Sequence, residues 1–588
     1  MTTRGMDVQD TVEPGRAVGV VGLGTVGEAL LGMVAATGRP VVGVDHDPDV
    51  IARVERRLKG QDLDATGEPA SCALTTDITA LAHVGVVVEA VTDDLAAKRD
   101  VLRRLRQVCP PDTAFVTTAS SLPLFPLATA SGCPDRIAGL RLLRPPATGR
   151  RAEVVRTSLT SDEAVEVAER LATAIGLESV VLGHHASDSA ARLVHPYLNR
   201  AAAMVAEGFA SPRDIDTAMR LGCGLPSGPL ELIDELGVDE VHSCLQSHWN
   251  RTGDEAFRPV PLLTSMLRRG TLGRKTGQGF HGYDEQGLPS EQSPVEQGRV
   301  DSPSPGRRIR HVGVYGSGTM ARGIAEVCAT SGLRVTLVAR STDKAQSTAM
   351  AIEASLVKAV RRGRITPTGK EEAVAALAAV DDVSALADCD LVIEAVAEDL
   401  DIKRGVFAQL GAVRRPGAIL ATTTSSLSVA ACTAPAGCPG ETLGLHFFNP
   451  APVMKLVELV RTPDTADDVM DAGRAFCAGL GKVSVTCPDR AGFIVNRLLF
   501  PYLTDAVRLL DDPAVDVGAL DTAVERGFGY PMGPFTLLDA IGLDVSLAIL
   551  ERLHAEFPGA GCEPPAVLRE LVGGGYLGRK AGRGLRRA

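Results

Sequence analysis

The chain has 588 residues, 45% hydrophobic and 23% charged, with a formal net charge of -11. That is a soluble globular balance with length for several domains, and an acidic chain with 4% aromatic residues and one Trp argues against a nucleic-acid footprint or a base-stacking platform. Twelve Cys occur without a CxxC pair, which points to reduced thiols in a cytoplasmic setting and away from a disulfide framework or a metal site.

The opening MTTRGMDVQDTVEPG is polar and acidic, without the apolar core of a signal peptide. The apolar region Val18–Val44 is interrupted by Glu28 and Arg39 and dense in Gly, so it reads as strand, helix, strand and not as a membrane span. Within it, Gly22, Gly24 and Gly27 form a GxGxxG that follows a Val-rich run and opens a helix, and Asp45 ends the next strand. In that setting the pattern is a dinucleotide fingerprint: the glycines allow the tight turn and the approach of pyrophosphate to a helix N-terminus. Asp45 is placed to accept from a ribose 2′-OH, which favours NAD. Short Val/Ile-rich runs then alternate with helical patterns, implying a parallel sheet covered by helices, before a helical segment begins near Ser187.

All of this occurs twice. VGVVGLGTVGEALLGMVAATGRPVVGVD returns as VGVYGSGTMARGIAEVCATSGLRVTLVA, TTASSLPL as TTTSSLSV, and LGRKTGQG as LGRKAGRG. Two tandem copies of one unit are therefore expected. Each is an α/β Rossmann-type dinucleotide-binding domain (16–186 and 309–489) followed by a small all-α domain (187–283 and 490–588). The stretch 284–308, rich in Pro, Ser, Gln and Gly, is expected to be a disordered linker.

The second copy opens with Gly316, Gly318 and Ala321; Ala suffices at the third position if only close helix–strand packing is needed there. Where the first copy has Asp45, the second has Ala339, followed by Arg340, Ser341 and Thr342. A guanidinium and two hydroxyls suit a 2′-phosphate, so NADP is the preferred cofactor expected here; an Arg340 that stacks on adenine while NAD still binds is the alternative. The spacing from Gly316 to Glu394 is 78 positions, against 67 from Gly22 to Glu89. The extra residues include a basic helical segment with Lys358, Arg361, Arg362 and Arg364, suited to a polyphosphate handle or simply to solvent. Further on, the hydroxyl cluster Thr422–Ser426 precedes GLHFFNPAPVMKLVELV. A strand, a turn at Asn449-Pro450-Ala451-Pro452 and a second strand would fold Glu458 back beside His446. That is an acid/base arrangement, or else a half-buried His beside a strand-edge acid.

With these pieces in place, both halves resemble the 3-hydroxyacyl-CoA dehydrogenase family, closest to its short-chain 3-hydroxybutyryl-CoA members. GSGTMARGIA, DLVIEAVAE, TSSLS, GLHFFNPAPVMKLVELV, AGFIVNRLL, GYPMGPFTLLD and LGRKAG resemble that family's blocks in order. The resemblance implies His446 as acid/base, Glu458 as its partner, and Ser425 and Asn496 on the substrate oxygen. It also implies Glu398, Lys403, Asn449 and Lys580 as cofactor contacts; Lys358 is a candidate substrate contact from the basic segment itself, not from the resemblance. Thr423 departs from the family's usual Asn. The implied reaction interconverts a (3S)-3-hydroxyacyl-CoA and a 3-oxoacyl-CoA with NAD(P)(H).

The first copy departs further. Arg141 stands for the His, Arg144 for an Asn and Ala191 for the catalytic Asn, while Ser120, Glu153, Lys98 and Lys275 persist and Asp93 replaces Glu398. An Arg cannot cycle a proton near neutral pH. The first copy is thus expected to bind NAD or nothing and to pair with the second as an intramolecular pseudo-dimer, with a homodimer also open. Other readings are an anionic acyl group gripped by Arg141 and Arg144, a carrier-protein thioester or free hydroxy acid as substrate, and a non-catalytic dinucleotide-binding scaffold. No nucleic-acid or membrane partner is expected.

Overall fold

A computed structural model describes residues 16–60, 72–119, 122–142, 150–284, 290, 307–559 and 561–587. Ser120, Arg144 and all of the expected linker except Asp284, Ser290, Arg307 and Arg308 lie outside these residues.

The period-2 and all-apolar runs of the first copy form strands β1 (Val18–Val21), β2 (Val41–Val44), β3 (Cys72–Thr75), β4 (Val86–Glu89), β5 (Ala114–Thr117), β6 (Ile137–Leu142), β7 (Arg151–Arg156) and β8 (Glu178–Gly183). Those of the second form β9 (His311–Tyr315), β10 (Arg334–Val338), β11 (Leu377–Val380), β12 (Leu391–Glu394), β13 (Ile419–Thr422), β14 (Thr442–Phe447), β15 (Leu456–Arg461) and β16 (Val483–Pro488). Each set makes one sheet, ordered β3-β2-β1-β4-β5-β6-β7-β8 and β11-β10-β9-β12-β13-β14-β15-β16. Pairing is parallel except at β6/β7 and β14/β15. The order reverses direction beside β1 and β9, the switch point where a doubly wound sheet leaves a crevice for a dinucleotide. The α/β plus all-α reading therefore holds for both copies.

The fingerprint turns show why the third position differs between copies. Gly22 has φ +89, and a Cβ on Gly27 would stand 1.7 Å from the Gly22 carbonyl oxygen, so only glycine fits. Gly316 opens to φ +143, which leaves the Ala321 methyl room. Ala is tolerated because the turn itself is wider, a stronger condition than close packing alone.

The helical parts share one apolar core, which also takes in Leu456, Val460 and Val485 of the second sheet. Helix His184–Ala206 packs on helix Val495–Arg508. The equivalent tyrosines Tyr197 and Tyr502 meet edge to face with ring centroids 5.7 Å apart. The equivalent residues Arg200 and Asp505 form an ion pair at 2.5 Å. Arg497, stacked over Phe209 of the first copy and Phe557 of its own, adds a bond to Glu207 at 2.6 Å.

Candidate active site

β14 and β15 are antiparallel neighbours, and their register sets His446 directly opposite Glu458. His446 Nδ1 lies 2.5 Å from Glu458 Oε2. The other carboxylate oxygen, Oε1, accepts the backbone N–H groups of Ile494 (3.0 Å) and Val495 (2.9 Å), where helix Val495–Arg508 begins. Glu458 is fully buried and His446 is 6% exposed. A carboxylate only accepts, so Nδ1 carries the proton in this pair and Nε2 is left to exchange one with a bound molecule. The rings of Phe448 and Phe493 flank the imidazole at 4.6 and 5.5 Å.

The hydroxyl cluster gathers on a single carboxylate. Glu398 Oε1 accepts from Thr424 Oγ1 (2.7 Å), from the Ser425 and Ser426 amides (2.9 and 3.1 Å) and from both serine hydroxyls (3.2 Å each). Burial works to raise Glu398, but Lys403 and these bonds outweigh it and hold its carboxyl below the ordinary carboxylate value. Asn496 Nδ2 donates to the Ser425 carbonyl at 3.3 Å. Ser425 and Asn496, 71 positions apart, are thus joined to each other.

Gly24 and Gly318 each precede a helix as its N-cap without a side-chain cap, and a Cβ at either would meet nothing within 4 Å. Free N–H groups over open space fit a pyrophosphate.

The rest of the expected set is more scattered. Lys403 is fully buried, bonded to Glu394 at 2.8 and 3.0 Å, with Glu398 3.5 Å away. In this arrangement its ammonium is buried among the protein's own carboxylates. Lys580 is exposed and paired with Asp544 at 2.6 Å, as Lys275 is paired with Asp239. Asn449 and Lys358 are exposed, Lys358 in the last turn of helix Thr342–Arg361 with Arg361, Arg362 and Arg364 exposed beside it. Arg340 is exposed and Ala339 buried at the end of β10. The two hydroxyls expected beside Arg340 are already engaged: Ser341 caps the following helix and Thr342 donates to Asp381 Oδ2 at 2.6 Å.

Profiles of two domains match the chain twice each: "3-hydroxyacyl-CoA dehydrogenase, NAD binding domain" at residues 17–185 and 311–490, and "3-hydroxyacyl-CoA dehydrogenase, C-terminal domain" at 189–283 and 492–588. The chain belongs to the 3-hydroxyacyl-CoA dehydrogenase family. Membership makes it an oxidoreductase with a nicotinamide dinucleotide cofactor. It is 40% identical over 276 residues to a 3-hydroxybutyryl-CoA dehydrogenase of Bradyrhizobium diazoefficiens, covering 47% of this chain and 94% of that one. It is 42% identical over 278 residues to a 3-hydroxyadipyl-CoA dehydrogenase of Escherichia coli, covering 47% and 58%. Over its whole length it shares the fold of a solved Escherichia coli 3-hydroxybutyryl-CoA dehydrogenase, with 21% identity, a TM-score of 0.59 and coverage of 96% and 99%. Among the described residues no helix is long and apolar enough to cross a membrane, and all twelve cysteines are free.

Against this family pattern the first copy's site is rebuilt. Arg141 faces Glu153 across β6 and β7. Its Nη1 donates to Ser187 Oγ and its Nη2 to Asp188 Oδ1, both at 2.6 Å, and its Nε to the Ala119 carbonyl at 3.1 Å. Ser187 Oγ in turn donates to Glu153. Ser187 and Asp188 occupy the places of Gly492 and Phe493 in the second copy, so three changes fit one another. The guanidinium is engaged by the protein's own groups, which counts against Arg141 gripping an anionic acyl group; Arg144, the other residue of that reading, lies outside the described residues. Burial pushes the Glu153 carboxyl up to about 7 against the pull of Arg141.

Two positioning groups were missed in the sequence. Lys482 Nζ donates to the Ala451 and Met454 carbonyls (2.6 and 2.7 Å), tying down the β14–β15 connection. Asp489 accepts from Ser428 Oγ and the amides of Val429 and Ala430, all within 2.8 Å, anchoring the segment after the hydroxyl cluster. Aligning the copies offers a signal for both, since Leu177 and His184 stand at their positions in the first copy.

Proposed function

We propose that the second copy carries the activity, interconverting a short-chain (3S)-3-hydroxyacyl-CoA and the 3-oxoacyl-CoA, with His446 as acid/base. The observation that carries this reading is the buried 2.5 Å contact between His446 Nδ1 and Glu458, which leaves Nε2 for the substrate oxygen. Gly316, Gly318 and the helix they open would hold the pyrophosphate, with Glu398 near the nicotinamide end; when bound, the nicotinamide exchanges the hydride at the substrate's C3. In the reducing direction His446 gives its Nε2 proton to the oxygen, while Glu458 stabilises the imidazolium before that transfer. Ser425 and Asn496 steady the developing alkoxide. The exposed cations Lys358, Arg361, Arg362 and Arg364 suit the phosphates of a CoA handle. The first copy serves as structural partner, with NAD as the dinucleotide it would take through Gly22, Gly24, Gly27 and Asp45. The paired equivalents Arg200 and Asp505 support an intramolecular pseudo-dimer, because two identical copies would put like charges together at that point.

For the second copy we propose NADPH as preferred cofactor, on the loss of the β10 carboxylate and the exposed Arg340. A second reading, NADH, is favoured by one observation: Asp381, bonded to Thr342, returns a carboxylate to the ribose corner. Side-by-side kinetics with NADH and NADPH on acetoacetyl-CoA test both statements. Turnover with NADPH at the higher kcat/KM supports the first; a preference for NADH that Asp381→Asn abolishes supports the second. No turnover with several acyl-CoAs favours a carrier-protein substrate or a scaffold.

A further inference from the structure

Helix Pro212–Cys223 of the first copy lies against β15, β16 and helix Val495–Arg508 of the second. Its tip reaches the frame of the His446–Glu458 pair. A Cβ on Gly222 would stand 3.0 Å from Leu456 Cδ2, 3.0 Å from Val495 Cγ2 and 3.6 Å from Phe448 Cε1. Each of these three residues touches the pair's setting from a different side. Leu456 opens the strand that carries Glu458. The Val495 amide donates to Glu458. The Phe448 ring meets the His446 imidazole at a tilt of 54°, with centroids 4.6 Å apart. Cys223 is close enough for the Glu458 charge to add to the burial that pushes its thiol up to about 12. The relation is reciprocal: Phe528, the second copy's equivalent of Cys223, lines the cavity of about 410 Å³ that holds Arg141, Glu153 and Ser187 in the first.

We propose that the first copy is a working part of the second copy's active site, with Gly222 as a positioning residue that sets where Phe448 and Leu456 sit and so how the His446 ring is aimed. Leu456 and Val495 are fully buried, so neither gives way freely to an added methyl. A shift of tenths of an ångström there is passed to the imidazole, because interiors are close-packed. A misplacement of about 1 Å costs on the order of 10²-fold in rate, so a shift of tenths accounts for a several-fold loss. The role rests on the proposed function but acts through a residue more than two hundred positions upstream of His446, in the copy that lacks the acid/base pair.

The test is Gly222→Ala in the full chain. It is expected to lower kcat with acetoacetyl-CoA at least fivefold while leaving KM for the dinucleotide unchanged; the overpacked contact lowers the melting temperature, with the protein still folded at the assay temperature. Leu456→Val together with Val495→Ala, which between them relieve both 3.0 Å contacts, is expected to bring kcat of the triple variant back to within twofold of that of the Leu456→Val/Val495→Ala protein. A folded Gly222→Ala protein with unchanged kcat overturns the proposal, as does a loss that relief of both contacts fails to restore. If the unsubstituted chain turns over no acyl-CoA, the functional reading fails separately. The positioning claim is then decided by the His446 ring resonances, which Gly222→Ala must move and which, if unmoved, overturn it.

Discussion

Arg141 and His446 stand at the same place in two copies of one sheet, each directly across an antiparallel pair from a buried glutamate, Glu153 and Glu458. One pair ends in a guanidinium closed off by Ser187 and Asp188; the other leaves an imidazole nitrogen open. The same scaffold therefore holds a fixed charge on one side and an exchangeable proton on the other.

If that contrast locates the chemistry, His446→Ala lowers kcat by about 10²–10⁴-fold, the usual share of a positioned acid/base. Steady-state turnover of acetoacetyl-CoA measures it. Full residual activity would move the catalytic role to the first copy.

Glu458→Gln keeps an acceptor for the Ile494 and Val495 amides but removes the charge beside His446. The expected outcome is a fall in kcat of about 10–100-fold with the dinucleotide KM unchanged, because the imidazolium loses its counter-charge. Equal loss in both parameters would mean that the carboxylate acts on cofactor binding instead.

Reversing one charge at the junction of the copies, Asp505→Arg, sets two guanidinium groups together in a place where both native side chains are under a fifth exposed. A loss of about 2–4 kcal/mol in unfolding free energy is expected. The double variant with Arg200→Asp recovers only part, since Arg508 lies 3.5 Å from Asp505 and would flank the new cation. Urea titration of the four proteins completes the cycle.

Glu153 makes stability depend on pH. Its carboxyl is raised to about 7 in the folded chain by burial, so between the unfolded value near 4.5 and that point the folded state holds the proton and the unfolded state does not. Its contribution is fully present below about pH 4.5 and is lost as pH rises through 7, on the order of 3 kcal/mol in all. Glu153→Gln should flatten this part of the melting-temperature profile between pH 5 and 8. An unchanged slope would assign it to another group.

Much of the site was legible without coordinates. The fingerprint glycines, Asp45 and the β14–turn–β15 hairpin are local patterns, and a hairpin 12 residues across brings His446 to Glu458 by strand register alone. The duplication was legible because each copy repeats its motifs in order. The family resemblance makes Lys403 a cofactor contact; that it is also buried against Glu394 follows only from the packing of its helix on β12 and β13. Ser341 and Thr342 looked free for a phosphate until the end of β11 brought Asp381 to them across 39 positions.

By itself, then, the sequence determined the two sheets, the paired dinucleotide turns and which copy retains an imidazole opposite a carboxylate, since each of these follows from residue type and spacing within one supersecondary unit. The tertiary structure decided that Arg141 is satisfied by Ser187 and Asp188, that Arg200 meets Asp505, and that Gly222 touches the frame of His446. Those contacts join groups 46 to 305 positions apart, and no periodicity encodes them: Arg141 meets Ser187 and Asp188 where the first helical part starts beside its own sheet, while the other two exist because the copies' apolar helical faces are buried against each other.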